Sequence, residues 1–348
     1  MSNARATHLT RRGILAAGGA LGLGAVLAAC GDEDTNNGGS DAKASAKASG
    51  PWSFKDDRGE TVKLDQAPAN IVAFVGVAAA LYDYGIDVKG VFGPTTVQGG
   101  KADVQAGDMD VSKLTVFGNV WDQFNVEKYA AFQPDVLIST TFDSAGTLWY
   151  VPEASKDKIA KLAPSVAISV YDRQMTEPLQ RMWALAESLG ADMKADKVVK
   201  AKQEFEAAAE RLRKAAKSRP EIKVMAGSAS QELFYVSGTN LSIDLEYFKA
   251  LGVNFVEPSE KAKEPTGGWF ESLSWENVDK YPADIIMMDD RSSTIQPADI
   301  TEGTWKKLPA VKAGQIIARS PEPILSYDKC TPLLTNLAEA IEKAKKVS

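Results

Sequence analysis

Residues 125–139 read NVEKYAAFQPDVLIS, and residues 274–288 read SWENVDKYPADIIMM. The two phrases share one plan. Each opens on a helix-capping residue, Asn125 or Ser274, with a glutamate two positions on, Glu127 or Glu276. Eight residues later each reaches an aspartate, Asp135 or Asp284, at the head of an apolar run. Such short apolar runs, bounded by proline and rich in branched residues, predict buried strands. Either glutamate alone is explained as an acid complementing a helix dipole. One such phrase in each half of the chain points instead to two related lobes.

The rest of the chain repeats this strand-then-helix grammar. NIVAFV (70–75), VKGVF (88–92), DVLIS (135–139) and SVAISV (165–170) predict strands in the first half; IKVMAG (222–227), ADIIMM (283–288) and GQIIA (314–318) predict them in the second. LEYFKALG closes a helix on Gly252, and a final helix is expected from about Pro332 to Lys346. Between the halves, a helix ends near Gly190 and a second runs some 25 residues without Gly or Pro. Val198, Ala201, Phe205, Ala208 and Leu212 mark one face of it at helical spacing. These residues keep no strict heptad, so a rigid strut of roughly 38 Å fits better than a coiled coil. The expected fold is α/β: two lobes with mainly parallel sheets, at 51–176 and 219–348, joined by connecting helices at 177–218.

The N-terminus has a different job. Arg5, Arg11 and Arg12 precede an apolar run from Gly13 to Ala29, and no acid occurs before Cys30. A basic head, a short apolar stretch and small residues at the cut are the anatomy of a secretory signal, here 1–29. LAAC followed by Gly31 resembles a bacterial lipobox, which implies lipidation of Cys30 and attachment to the outer membrane face. TRRGIL resembles a twin-arginine signal. Residues 30–50 are too polar to bury much surface and read as a flexible tether with a reach of roughly 25 Å.

Composition excludes much chemistry. Without the signal the formal charge falls from −6 to −9, a poor match to nucleic acid. The single histidine, His8, lies inside the signal, so histidine-dependent nucleophilic catalysis has no base. Zinc or copper would lack its usual ligands. Cys330 remains as a half-buried structural thiol without a partner for an internal disulfide. No phosphate-binding loop occurs, and nothing argues for an enzyme.

At this level the chain resembles the class III substrate-binding proteins of ABC importers, the group that binds ferric siderophores and vitamin B12. The resemblance rests on NIVAFVGVAAALYDYGIDVKGVF, FNVEKYAAFQPDVLI, the long helix and LPAVKAGQII, and covers most of 52–348. It implies a ligand cleft between the lobes, limited hinge motion, a monomer, and an ABC permease with its ATPase as partner. It assigns Glu127 and Glu276 as the docking glutamates, one per lobe, for arginines of that permease. It implies no cofactor, since iron travels inside the siderophore.

Ligands in open α/β lobes sit beyond the carboxyl ends of strands. That rule nominates Trp121, Phe142, Trp149, Tyr150, Tyr171, Arg173, Tyr235, Trp269, Arg291 and Tyr327, with Phe234 and Ser320 beside them. Relatives that bind hydroxamate siderophores place an aromatic where Trp269 stands. Trp183, Trp275 and Trp305 fall in helical or linker patterns and read as core. Ferric tris-catecholates carry about three negative charges and call for clustered cations; aromatic walls with few cations suit neutral or weakly positive tris-hydroxamates of ferrioxamine or ferrichrome type. Catecholate siderophores, haem, cobalamin and an exported lipoprotein enzyme are the competing readings.

Overall fold

The computed structural model describes residues 50–348; the signal, Cys30 and nearly all of the tether lie outside them. The first lobe opens with an antiparallel hairpin, β1 (Trp52–Lys55) and β2 (Thr61–Leu64). Its sheet is built from β3 (Ile71–Phe74), β4 (Gly90–Phe92), β5 (Thr115–Val116), β6 (Val136–Thr141) and β7 (Ser165–Ser169). The order is β5-β4-β3-β6-β7, and every neighbouring pair is parallel. All residues of β3 and β6 are buried, as strands covered on both faces must be.

The second lobe holds β8 (Lys223–Ala229), β9 (Leu233–Ser237), β10 (Asn254–Phe255), β11 (Phe270–Ser274), β12 (Ile285–Asp289) and β13 (Ile316–Arg319). Its sheet runs β11-β9-β8-β12-β13, with β10 beside β8. The β8, β12, β13 and β10 pairings are parallel, whereas β9 and β11 add antiparallel strands. The sheet is therefore mixed.

The two duplicated phrases do matching structural work. Asp135 accepts the amides of Ala69 and Asn70, both at 2.8 Å, while its own N–H donates to the Asn70 carbonyl. Asp284 accepts the amide of Lys223 at 2.8 Å, and its N–H donates to the Lys223 carbonyl. Each aspartate thus clips the head of its own strand to the head of the neighbouring one. The helical parts differ. Asn125 caps an α-helix (Val126–Phe132) through a 2.8 Å bond from the Lys128 amide. Ser274 instead precedes a 3₁₀ turn (Trp275–Lys280), makes no side-chain cap bond to its amides, and accepts the Asn277 side chain.

A helical base joins the lobes. The helix Thr176–Ser188 leads to the long helix Asp196–Ser218, about 35 Å long at 1.5 Å per residue. Val198, Phe205, Ala208 and Leu212 are buried along it. It lies against the C-terminal helix, Tyr327–Lys343, and Arg211 grips Glu342 with two bonds of 3.0 and 2.6 Å. That last helix begins before Pro332 and carries the proline inside, because Ser326 caps it by accepting the Lys329 amide. An aromatic chain crosses the base from lobe to lobe: Tyr84 on Trp183 (5.9 Å), Trp183 on Tyr327 (5.7 Å), Tyr327 on Phe205 (5.3 Å) and Phe205 on Tyr247 (6.0 Å). Trp275 and Trp305 are buried in the second lobe. Cys330 is fully rather than half buried, and burial raises its thiol pKa.

Asp83, at the end of the helix Val75–Asp83, accepts a 2.5 Å bond from Ser326 at the base of the second lobe. Burial there lifts its pKa from 3.8 to about 6, against the opposing pull of that hydrogen bond and Lys329. Between those values the native state holds a proton that the unfolded chain has released. The stabilising contribution is therefore complete below pH 3.8 and is lost as pH rises through about 6, a change of about 2–3 kcal/mol. Urea unfolding from pH 4 to 7.5 should show a decline in wild type that is flattened in Asp83→Asn; equal slopes would remove Asp83 as the cause.

Candidate functional site

A cavity of about 680 Å³ lies between the lobes. The first lobe contributes Trp121 and Asp122 from the loop after β5, and Phe142, Asp143 and Thr147 to Glu153 from the segment after β6. The second contributes Ser228, Ser237, Trp269, Phe270, Asp289, Arg291, Arg319 and Glu322. Most stand at or just beyond the carboxyl ends of strands, as open α/β sheets direct.

The walls are aromatic. Trp149 stands at the centre, with ring centroids 4.7 Å from Trp121 and 4.6 Å from Phe142. Tyr150 packs edge-on to Trp121 at 5.1 Å, and Phe142 reaches Trp269 of the other lobe at 6.3 Å. Local backbone geometry sets these positions. The Gln123 carbonyl presses on Gly118 so closely that a Cβ there would lie 1.8 Å from it, which tightens the loop that presents Trp121. Tyr150 has φ +60, a left-handed conformation that costs an aromatic residue energy and persists only when packing enforces it. Burial first, then Glu322, pushes the Tyr150 hydroxyl up to about 12, so it is a neutral donor.

The electrostatics run negative. Five carboxylates and two guanidiniums line the cavity, and both guanidiniums are committed. Arg291 binds Asp289 through Nε (3.0 Å) and Nη2 (2.6 Å), and bonds Glu322 through Nη1. Burial works against its charge, yet the two carboxylates together raise its pKa. Arg319, only 4% exposed, binds Asp244 through Nε (2.7 Å) and Nη2 (3.0 Å) and donates to Ser237 at 3.0 Å. Each guanidinium keeps N–H groups to offer a ligand oxygen, but neither brings uncompensated positive charge.

Of the residues the sequence nominates, Trp121, Phe142, Trp149, Tyr150, Trp269 and Arg291 meet in this cavity. The others stand elsewhere. Tyr171 and Arg173 line a separate polar concavity of about 490 Å³ with Asp57 and Arg58, and Arg173 pairs with Glu177. Tyr235 lies behind the wall, stacked edge-on to Phe270 at 5.1 Å with its hydroxyl on Ser230. Tyr327 is buried in the helical base, because the C-terminal helix starts there rather than at Pro332. Phe234 is core, and Ser320 donates to Asp290 at 2.7 Å beside a smaller cavity of about 220 Å³. Phe270, Asp289, Arg319 and Glu322 were not nominated. Arg319 closes β13 and Asp289 closes β12, so the strand-end rule could have found both. Glu127 and Glu276 are exposed.

The model of the family described as periplasmic binding proteins matches residues 75–323. The chain belongs to the periplasmic binding protein family. Its two α/β lobes and single long helix are the class III form of that fold. DesE of Streptomyces coelicolor, a ferric-siderophore receptor protein, is similar at 80% identity with a TM-score of 0.85, over 85% of this chain and 100% of that one. Two further structures are similar in fold. The siderophore periplasmic binding protein from the fuscachelin gene cluster of Thermobifida fusca is 21% identical with a TM-score of 0.54, over 79% and 96% of the two chains. FhuD2 of Staphylococcus aureus with bound ferrioxamine B is 20% identical with a TM-score of 0.51, over 79% and 98%. No curated protein matches the chain.

Asp289 and Glu322 have side chains only 2% and 8% exposed, with Arg291 between them. Arg291→Ala should therefore destabilise this periplasmic binding protein by about 3 kcal/mol, since it leaves two adjacent buried carboxylates without their cation. Urea unfolding at pH 7.5 measures this; a loss below about 1 kcal/mol would mean water already compensates them.

Proposed function

We propose that this protein is the substrate-binding component of an ABC importer, that it captures a ferric siderophore of tris-hydroxamate type, and that it delivers this cargo to a membrane permease. The observation that carries the reading is the cavity itself: six aromatic side chains around a space whose guanidiniums are already neutralised by carboxylates. A tris-catecholate, with about three negative charges, would enter against that lining at a large electrostatic cost. A neutral or weakly cationic ferric tris-hydroxamate meets aromatic faces, the Tyr150 hydroxyl, and the spare N–H groups of Arg291 and Arg319. The 80% identical relative is itself a ferric-siderophore receptor, which supports the cargo class.

Capture and delivery then divide the work. Iron arrives with its coordination filled by siderophore oxygens, so the protein recognises the outside of the chelate and makes or breaks no bond. Lipid on Cys30 and the tether through residue 50 keep the receptor beside the membrane. Glu127 and Glu276, exposed and one per lobe, dock on permease arginines as a two-point charge-assisted clamp.

Tryptophan fluorescence titration tests the ligand class, because Trp121, Trp149 and Trp269 all line the cavity. A ferric tris-hydroxamate should quench saturably at submicromolar concentration, while ferric tris-catecholate, haem and cobalamin should not. Trp269→Ala should weaken the hydroxamate by about tenfold or more, as loss of a central aromatic contact does. Preference for the catecholate would overturn the charge argument, and no saturable binding at all would overturn the receptor reading.

A further inference from the structure

Glu322 occupies an unusual place. It lies between Pro321 and Pro323 in the loop after β13, so the neighbouring ring constraints narrow its backbone freedom. Its side chain is only 8% exposed, and its two oxygens serve three donors from two lobes. Oε1 takes Nη1 of Arg291, in its own lobe. Oε2 takes Nε2 of Gln105 at 2.8 Å and Nε1 of Trp149 at 3.1 Å, both from the opposite lobe.

Each of those partners is anchored by its own lobe. The Trp149 amide donates to the Thr140 carbonyl, and its carbonyl accepts the Ser139 hydroxyl, which fixes the backbone at the end of β6. Trp121 and Phe142 pack on the indole at 4.7 and 4.6 Å, and Glu322 fixes its remaining rotation by bonding its one polar atom. Gln105 is 4% exposed and its backbone N–H is held by Asp103, which also accepts Ser292 of the second lobe at 2.5 Å. The carboxylate therefore sits where lobe apposition and the orientation of the central cavity aromatic meet.

We propose that Glu322 is a positioning residue for ligand capture: from the second lobe it locks the Trp149 indole of the first, so the aromatic wall is already formed when the ligand arrives. The proposal rests on the reading that this cavity takes the ferric chelate. A preorganised wall saves the ordering cost that a free indole would impose on binding. Glu322 thereby acts on affinity through Trp149.

The test combines an apo measurement with a binding one. The indole N–H signal of Trp149, identified by its loss in Trp149→Phe, should exchange slowly with solvent in the ligand-free protein. In Glu322→Ala it should shift and exchange rapidly, and Glu322→Gln should move it the same way by less. With ferrioxamine B as probe, Glu322→Ala should bind about tenfold more weakly than wild type, the scale of a lost charge-assisted bond. The double variant Trp149→Phe/Glu322→Ala should be little worse than Trp149→Phe alone. An unchanged indole signal, or losses that simply add, would overturn the proposal. Should Glu322→Ala not fold, Glu322→Gln decides by the same indole signal. If wild type ignores ferrioxamine B, the hydroxamate reading fails, and the role of Glu322 is judged on the indole signal alone.

Discussion

Everything in this molecule depends on the helical base that fastens one lobe to the other. The long helix and the C-terminal helix lie side by side, and the aromatic chain from Tyr84 through Trp183, Tyr327 and Phe205 to Tyr247 runs across them. One continuous hydrophobic core includes residues of both lobes and both helices. Close-packed interiors of this kind resist gradual deformation, so the base is a firm footing for both sheets. The cavity between the sheets inherits that constraint. Its walls are defined by where the base holds the two sheets.

A cavity built this way discriminates by what its walls already offer. Carboxylates are arranged to consume the charge of Arg291 and Arg319 while leaving part of their hydrogen-bonding capacity free. On the proposed reading, polar recognition without net positive charge selects neutral chelates over anionic ones. The aromatic faces supply contact area at low entropic cost, having few rotatable bonds to fix. Strain at Tyr150 and the close approach at Gly118 lie beside these aromatics, where local structure is bent to serve the wall.

Much of the fold was legible because its signals are local. Proline-bounded apolar runs gave β6, β7 and β8, and the duplicated phrases place Asp135 and Asp284 at equivalent strand heads, where their reciprocal bonds are formed. The antiparallel strands β9 and β11 are not among the strands expected from the sequence: LFYVS is short with no proline at its edge, and FESLS is mostly polar. The site was half legible for a similar reason. A strand-end rule finds Trp149 and Arg291, but it cannot tell that Tyr327 faces the helical base or that Arg173 turns to Glu177 at the start of the connecting helix. Glu322 and Arg319 acquire meaning only from partners distant in sequence, 217 residues for Gln105 and 75 for Asp244.

The most direct measurement is an anomalous-scattering map at the iron edge from crystals grown with a ferric tris-hydroxamate. The account predicts a single iron peak inside the inter-lobe cavity, flanked by Trp149 and Trp269, with no protein atom in the iron coordination sphere and siderophore oxygens toward Arg291 or Arg319. Iron bound directly by protein carboxylates, or located in the polar concavity beside Tyr171 and Arg173, would contradict it.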